Sequence, residues 1–227
     1  MKIVSIRNNE TFQEYKNYIE KFRDDLYLPS FPPNEREPFE IIEARIKKGE
    51  NWWPRTDMIL CIEGNEVASG CISDYYPECQ SIEAIYLVTN EKYRGKGLAK
   101  VLLSETFNLY PEALDIYLEA DNPALVSPGL SAMNPETRIK IYQKLGFKVI
   151  NINYIQPPLF QGLDYERKLL LMSKSKIPLT KERLVLFLDS FYRGLECEGS
   201  EEFYEVVESI SPAQIYTPES DSFSHPL

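Results

Sequence analysis

The chain has 227 residues, of which 43% are hydrophobic and 26% are charged, and its formal net charge is −10. This length and composition predict a globular domain with an extension, long enough to bury a proper core. The acidic balance argues against nonspecific binding of nucleic acid, which depends on neutralising phosphates with lysine and arginine. The single histidine, His225, lies in a Ser/Pro-rich tail, which argues against a Ser-His-Asp hydrolase, a Cys-His protease and a histidine-ligated metal centre.

The sequence also bears on the cellular compartment. No apolar run approaches the ~20 residues that a helix needs to span a bilayer, and the first ten residues lack the apolar core of a signal peptide. The cysteines show no CxxC spacing and are expected to be reduced, mostly structural thiols. They are Cys61, Cys71, Cys79 and Cys197. We therefore expect a cytoplasmic protein that does not bind membranes.

The N-terminal segment predicts an edge strand followed by helices. Residues 2–7 carry the apolar pattern of a strand. Thr11 and Glu14 have capping-box spacing, so the first helix is expected to begin there. Residues 27–33 are not expected to continue that helix, because Pro29, Pro32 and Pro33 interrupt it.

A run of strands comes next. Residues 57–63 and 67–76 predict two strands, which the Gly64-Asn65 pair joins in a hairpin. Residues 81–88 are rich in β-branched and aromatic side chains and predict the fourth strand. Residues 113–120 predict the fifth.

The following segment completes the predicted sheet. Asn134-Pro135 is expected to begin a helix that Gly146 ends. The last two strands are predicted at residues 148–154 and 168–172. This order of elements predicts an α+β fold: a mixed, mainly antiparallel sheet flanked by helices.

Residues 81–103 combine a strand, a basic loop and the start of a helix. Gly95 and Gly97 lead into the helix, and Arg94 and Lys96 add positive charge. The first N–H groups of a helix lack partners and its dipole is positive there, so such a segment binds anions. The sequence therefore predicts a phosphate-binding loop.

Two motifs identify the family that the chain resembles. Arg94-Gly95-Lys96-Gly97-Leu98-Ala99 fits the signature Arg/Gln-x-x-Gly-x-Gly/Ala, and residues 141–147, IYQKLGF, contain Tyr-x-x-x-Gly-Phe. In this order and spacing, the motifs make residues 1–173 resemble a domain of the GNAT acyltransferase superfamily. The resemblance implies that residues 94–99 grip the pyrophosphate of acetyl-CoA. It also implies that the backbones of Leu87 and Val88 bind the pantetheine arm and that no metal is needed.

The resemblance implies direct attack of an amine on the thioester. Tyr142 matches the family tyrosine whose hydroxyl faces the coenzyme sulfur, which makes it the expected general acid; the alternative is a tyrosine that only packs its ring. Glu83 is the expected general base, because burial in an apolar strand would raise its pKa. It would instead be a surface group if the start of the strand is solvated. Glu119, near the end of the fifth strand, is a second candidate, acting through water.

The acceptor site is expected to lie beside the first two helices, which flank it in this superfamily. Phe31, Glu35 and Arg36 are therefore candidates for substrate contact, although they also suit capping and packing of a helix start. Asn34 with Glu37 is expected to cap the second helix. The proline-rich stretch YIQPPLFQGLDYE, which follows residue 153, is expected to form another wall of the acceptor site.

Residues after 173 exceed the family pattern. Thr180 is expected to cap a helix with an apolar stripe, and residues 201–210 predict a second helix. We expect this extension, residues 174–210, to pack on the parent domain, with a homodimer contact or a lid as alternatives. Residues 211–227 are expected to form a flexible tail.

The resulting hypothesis is an N-acetyltransferase that uses acetyl-CoA on a small-molecule amine. The acidic surface would favour cationic amines by steering, or else serve solubility alone. One alternative is a noncatalytic acyl-CoA-binding regulatory module, and another is a protein or peptide N-acetyltransferase. The sequence does not discriminate between acceptors.

Overall fold

The computed structural model of the protein describes residues 1–33, 35–127, 129, 133–160 and 162–217. The chain separates into two compact units, Met1–Ala113 and Leu114–Leu227, called unit 1 and unit 2 below. The predicted cap Asn34 and most of the expected flexible tail, residues 218–227, lie outside the described residues.

Unit 1 contains an antiparallel sheet in the order β1-β2-β3-β4. Its strands are β1 (Lys2–Ile6), β2 (Arg55–Glu63), β3 (Glu66–Tyr76) and β4 (Ser81–Thr89). Its α-helices are α1 (Asn9–Glu14), α2 (Lys16–Phe22), α3 (Leu28–Ser30), α4 (Phe39–Lys48) and α5 (Leu98–Asn108). The predicted hairpin is confirmed, because the β2–β3 turn falls at Gly64 with φ of 59°.

The β3–β4 pairing contains one irregularity. Ile72 lies opposite Tyr86, whereas the next residue, Ser73, lies opposite Ala84. Ile85 therefore has no partner in β3 and forms a β-bulge in β4. Bulges re-aim side chains and are frequent next to active sites.

The core of unit 1 packs the first helices against the sheet. Phe22, Ile42 and Ile46 are fully buried. The Phe22 ring packs directly on Gly70 of β3, where a Cβ would overlap the ring. This Cβ would also lie only 2.9 Å from Leu60 Cδ2. Glycine at this position thus permits the close contact between helix and sheet.

Two predictions for the first helix were wrong. Its cap is Asn8, which exchanges hydrogen bonds with Thr11, so the capping box begins three residues earlier than expected. The helical path also continues through a π-helical turn, Arg23–Tyr27, and α3 as far as Ser30. Pro29 is tolerated because it occupies the first turn of α3, where its missing N–H costs no hydrogen bond.

Unit 2 contains the remaining strands, in the antiparallel order β5-β7-β6. They are β5 (Asp115–Asp121), β6 (Lys148–Val149) and β7 (Leu169–Ser175). The helices are α6 (Pro135–Lys144), α7 (Lys181–Gly194) and α8 (Glu201–Ser209). The described residues thus hold seven strands with antiparallel pairing inside each unit, together with helices, which confirms the predicted fold class.

The two helices α6 and α7 cover opposite faces of the unit 2 strands. Tyr117 of β5 stacks on Phe187 of α7 with ring centroids 3.7 Å apart. Glu119 lies two residues further along β5 and therefore points to the same face. On the other face, the end of α6 meets β7, since a Cβ added at Gly146 would lie 3.4 Å from Lys174 Cε.

The C-terminal extension packs on unit 2, as expected. Thr180 caps α7 by accepting a hydrogen bond from the Arg183 N–H at 3.4 Å. The Arg183 guanidinium donates to both carboxylate oxygens of buried Asp115 at the start of β5. An ion pair with two hydrogen bonds fixes the geometry of both groups.

The strand predicted at residues 148–154 is shorter than expected. Only Lys148–Val149 forms β6, and its free side accepts part of the expected flexible tail. The Asn151 N–H donates to the Ile215 carbonyl at 2.8 Å, and the Thr217 N–H donates to the Val149 carbonyl at 3.0 Å. Residues 215–217 therefore lie along the edge of β6.

The described residues lack two features. None of the helices in this part of the chain combines the length and the apolar character needed to cross a membrane. No cluster of three or more His, Cys, Asp or Glu side chains in the same residues is placed to hold a metal ion.

Candidate active site

The predicted phosphate loop lies between β4 and α5 in unit 1. A 3₁₀ turn, Glu91–Tyr93, follows β4, and Gly95 and Gly97 then have φ of 77° and 76°. These left-handed values favour glycine. A Cβ added at either glycine would meet no atom within 4 Å, so the space beside the loop is open to a ligand.

The start of α5 adds hydrogen-bond donors to this loop. Gly97 occupies the N-cap position, and no side chain caps the helix. Leu98 is buried and anchors the first turn, whereas Ala99 is half-buried. The N–H groups of a first turn, with the positive end of the helix dipole, suit a phosphate.

Two basic side chains frame the loop from the solvent side. Arg94 pairs with Glu91 at 3.2 Å, and its Nε donates to the Thr89 carbonyl at 3.4 Å. Lys96 Nζ lies 4.7 Å from the centroid of the Tyr93 ring. Exposed pairs of this kind are worth at most about 1 kcal/mol, so either cation can turn toward a bound anion.

The end of β4 carries the residues expected to bind the pantetheine arm. Leu87 is half-buried and Val88 is buried. The Val88 carbonyl accepts a hydrogen bond from the Ser69 hydroxyl at 2.7 Å. The bulge at Ile85, two residues before Leu87, has no signal in the sequence.

Glu83 is buried in β4, as expected for a base candidate, and its side chain does not lie at a solvated strand end. It is 3% exposed and accepts a hydrogen bond from the Tyr76 hydroxyl at 3.3 Å. In the sheet it lies directly opposite Asp74. Two carboxylates therefore share this part of unit 1.

A buried ion cluster adjoins Asp74. The Arg45 guanidinium donates to Glu37 at 2.6 Å, and its other terminal nitrogen lies 3.9 Å from Asp74. The Thr56 hydroxyl donates to Asp74 at 2.6 Å. Burial raises the pKa of both carboxyls, and the guanidinium opposes that rise.

The predicted acceptor contacts lie near an aromatic cluster in the same unit. The Phe31 ring centroid lies 5.0 Å from that of Tyr86 and 5.6 Å from that of Tyr27. Arg36 donates to the Phe31 carbonyl and so fixes the loop. Glu35 is exposed. Phe31 thus packs on the core of unit 1, and a contact with substrate stays a prediction.

Tyr142 lies on α6 in unit 2, at the predicted place in the helix. Asn134 caps α6 by accepting from the Thr137 N–H at 3.0 Å, and Gly146 ends it with φ of 92°. Tyr142 is half-buried, and its ring centroid lies 6.2 Å from that of Phe147. The described contacts thus include ring packing, and the catalytic role stays a prediction.

Glu119 has partners that sequence reasoning did not find. The Tyr154 hydroxyl donates to one of its carboxylate oxygens and the Gln156 amide to the other. Burial raises the pKa of Glu119 to about 7, and the two hydrogen bonds oppose the rise. Both partners belong to the proline-rich stretch after β6, whose composition predicts a loop but not this contact.

A cavity of about 180 Å³ in unit 2 adjoins the same stretch. Its walls come from the segment after β5, the residues around the start of the proline-rich stretch, β7 with Arg167 just before it, and α8. They include Asn122, Leu125, Ile152, Asn153, Tyr154, Ile155, Arg167, Leu169, Leu170 and Glu205. Arg167 and Glu205 form an exposed ion pair at 2.8 Å.

Comparison with protein families gives a match within the chain. Residues 54–149 match the family model of the acetyltransferase (GNAT) domain. The resemblance drawn from the two sequence motifs is confirmed, and so is the expectation of an acyltransferase.

Solved structures share the fold at low sequence identity. One is described as an acetyltransferase of the GNAT family from Bacteroides thetaiotaomicron, with 20% identity, coverage of 78% of this chain and 89% of that one, and a TM-score of 0.57. Another is the aminoglycoside 6′-N-acetyltransferase from Enterococcus faecium, with 16% identity, coverage of 79% and 99%, and a TM-score of 0.52. A third, an aminoglycoside 6′-N-acetyltransferase complexed with coenzyme A, has 17% identity, the same coverage of 79% and 99%, and a TM-score of 0.52.

None of the curated protein sequences matches the chain significantly. The family model and the solved structures therefore support the class and the fold.

Proposed function

We propose that the protein is an N-acetyltransferase that moves the acetyl group of acetyl-CoA directly to a primary amine of a small molecule. The observation that carries this proposal is the glycine loop at the uncapped start of α5, with Gly95 and Gly97 in left-handed conformations and open space beside them. The pyrophosphate would lie on residues 94–99, and the backbones of Leu87 and Val88 would hold the pantetheine arm. A solved structure of the same fold, complexed with coenzyme A, supports this choice of co-substrate.

A small-molecule acceptor is favoured by the relatives and by the charge. Two structures of similar fold are aminoglycoside acetyltransferases. The net charge of −10 would attract a cationic amine. Phe31 and Glu35 are the proposed acceptor contacts in unit 1, and the cavity beside the proline-rich stretch is a further candidate in unit 2. Four free cysteines suit action in the cytoplasm.

The reaction needs one proton acceptor and one proton donor. A carboxylate takes a proton from the ammonium group, and the free amine attacks the thioester carbonyl. The new C–N bond forms as the C–S bond breaks, and the Tyr142 hydroxyl gives a proton to the departing thiolate. The amide nitrogen then loses its extra proton to the tyrosinate, which restores the hydroxyl. The sequence nominates Glu83 as the carboxylate, with Glu119 as the alternative.

Binding of acetyl-CoA tests the loop. Gly97→Val should weaken binding strongly, because the side chain would occupy the place of the phosphate. Gly199→Val is the matched control, because Gly199 also has a positive φ, 70°, and open space around it. Calorimetric titration that shows equal affinity for the wild type and for folded Gly97→Val would refute the site.

Turnover tests the reaction. Release of coenzyme A thiol is measured with kanamycin, spermidine, an alkylamine and a lysine peptide. Tyr142→Phe should lower kcat roughly 10²- to 10⁴-fold while acetyl-CoA affinity stays constant. The exposed tyrosine of α8 supplies the control Tyr204→Phe. Binding without release on any amine would indicate a noncatalytic module, and activity on the peptide alone a peptide acetyltransferase.

A further inference from the structure

We infer that Glu119 accepts the proton of the acceptor amine and that the C-terminal extension holds it in position through Tyr192. The inference rests on the proposed function and deepens it, because it assigns the proton acceptor and gives the extension a role in the reaction. Glu119 is the catalytic residue in this scheme, and Tyr154, Gln156 and Tyr192 are positioning residues.

The first step is the support of the carboxylate. Tyr154 and Gln156 each donate to a different oxygen of Glu119, so both carboxylate oxygens are held by hydrogen bonds. A carboxylate has about four lone-pair sites, and two donors leave room for a third. Glu119 is half-buried, and both donors are neutral. The carboxylate can therefore receive a proton without breaking an ion pair.

The second step links this support to the extension. Ile155 lies between the two donors, and its carbonyl accepts a hydrogen bond from the buried Tyr192 hydroxyl of α7 at 2.6 Å. The Tyr192 ring lies 5.4 Å from that of Phe203 of α8, so both extension helices hold it. The extension thereby fixes the backbone that presents both donors to Glu119.

The third step concerns position in unit 2. Glu119 shares the β5 face that α7 covers through the Tyr117–Phe187 stack. The helix that carries Tyr142 meets the opposite face, near Lys174. Proton uptake from the amine and proton delivery to the thiolate can thus use separate groups.

The charges around Glu119 leave it able to titrate. Asp121, the last residue of β5, is paired with Arg138 of α6 at 3.1 Å. Tyr192 of α7 interacts electrostatically with Glu119, and burial keeps Tyr192 protonated by raising its pKa. On β7 the residue opposite Glu119 is apolar Leu171. Burial raises the pKa of Glu119 to about 7, a suitable value for a base at neutral pH.

Glu83 is less suited to the same task. It lies directly opposite Asp74, beside a cluster in which one guanidinium already serves Glu37 and Asp74. A second carboxylate directly opposite would disfavour a further negative charge at this position. Glu119 takes the ammonium proton, and the amine forms the C–N bond as the C–S bond breaks. Tyr142 protonates the thiolate and regains a proton from the amide nitrogen, and Glu119 later releases its proton to water.

Carbon-13 NMR of protein labelled at the glutamate carboxyl carbons tests the positioning without any acceptor. The Glu119 signal is the one absent from the spectrum of Glu119→Gln, and we expect it to titrate near pH 7. Tyr154→Phe and Gln156→Leu should raise its pKa, because each removes a donor that stabilises the charged form. Tyr192→Phe should raise it as well, and the exposed control Tyr204→Phe should not.

Kinetics on the best amine of the panel tests the catalytic role. The wild-type kcat/KM should rise with pH through about 7. In Glu119→Gln this pH dependence should disappear, and kcat should fall roughly 10²- to 10⁴-fold. Tyr192→Phe should move this limb to higher pH and so lower kcat/KM at pH 7, because less of the carboxyl is then ionised. Acetyl-CoA affinity and the melting temperature serve as folding controls.

Several results would overturn the inference. A Glu119 signal that titrates at the ordinary value, or does not respond to Tyr192→Phe, refutes the positioning. A pH limb that persists in Glu119→Gln refutes the catalytic role. If Glu119 titrates as expected but no amine is acetylated, the proposed function fails and the catalytic role fails with it, whereas the positioning by the extension stands.

Discussion

Glu37 and Asp74 in unit 1 share a buried guanidinium, whereas Glu119 in unit 2 is held by a phenol and a carboxamide. Burial raises the pKa of all three carboxyls. Arg45 opposes the rise by its charge, while neutral donors oppose it by hydrogen bonds alone. The guanidinium in unit 1 therefore favours the charged carboxylates, whereas the neutral donors in unit 2 tolerate either protonation state of Glu119.

The largest expected effect is the loss of the cation. Arg45→Met leaves two carboxylates buried without a positive charge, and the free energy of unfolding at pH 7 should fall by about 3–5 kcal/mol. Urea denaturation measures the change. The loss should shrink as the pH is lowered, because the stranded carboxyls then take up protons. An equal loss at pH 5 and pH 8 would mean that packing, and not charge, dominates.

Glu119→Gln should raise the free energy of unfolding, whereas Arg45→Met lowers it. The folded pKa of Glu119, about 7, lies above that of an unfolded glutamate, so the folded state loses stability as the pH rises from about 4.5 to about 7. Glutamine has no charge to bury, and the variant should gain up to about 3 kcal/mol over the wild type above pH 7. Thermal unfolding at pH 5 and pH 8 measures the gain, which should be nearly absent at pH 5.

Thr56→Val isolates one hydrogen bond of the unit 1 cluster. The substitution keeps the shape and removes the hydroxyl that donates to Asp74 at 2.6 Å. Hydrogen bonds to charged groups are worth about 1.5–3 kcal/mol, so the loss should be smaller than for Arg45→Met. Denaturation of the double variant checks the coupling, since two groups on one carboxylate should not be additive.

The smallest expected effect comes from an exposed ion pair in the same unit. Arg23 Nε lies 2.7 Å from Asp24 Oδ1, but the pair is solvated. Arg23→Gln should change the free energy of unfolding by no more than about 1 kcal/mol. A loss as large as that of Arg45→Met would show that burial does not set the difference between the two arginines.

The sequence predicts elements that local signals specify. Gly64-Asn65 marks the β2–β3 hairpin, Asn134-Pro135 and Gly146 bound α6, and Thr180 caps α7. The phosphate loop belongs to the same group, because its glycines and its helix start are contiguous in the chain.

Features that depend on distant residues were not predictable. Tyr154 and Gln156 lie 35 and 37 residues from Glu119, and no local pattern relates them. Residues 152–155 are mostly buried apolar side chains, so they read as strand, yet the strand ends at Val149. The bulge at Ile85 likewise arises from pairing with β3 and leaves no mark on the composition of β4.

The segment 215–217 along β6 has a consequence for self-association. Exposed strand edges invite pairing with another chain, and a covering segment of the same chain removes that opportunity. To extend the unit 2 sheet through β6, a second copy of the chain would first have to displace the backbone hydrogen bonds of Val149 and Asn151. An affinity tag or fusion partner placed just after Thr217 would therefore leave the β6 edge covered. Truncation before residue 215 would expose this edge to another chain.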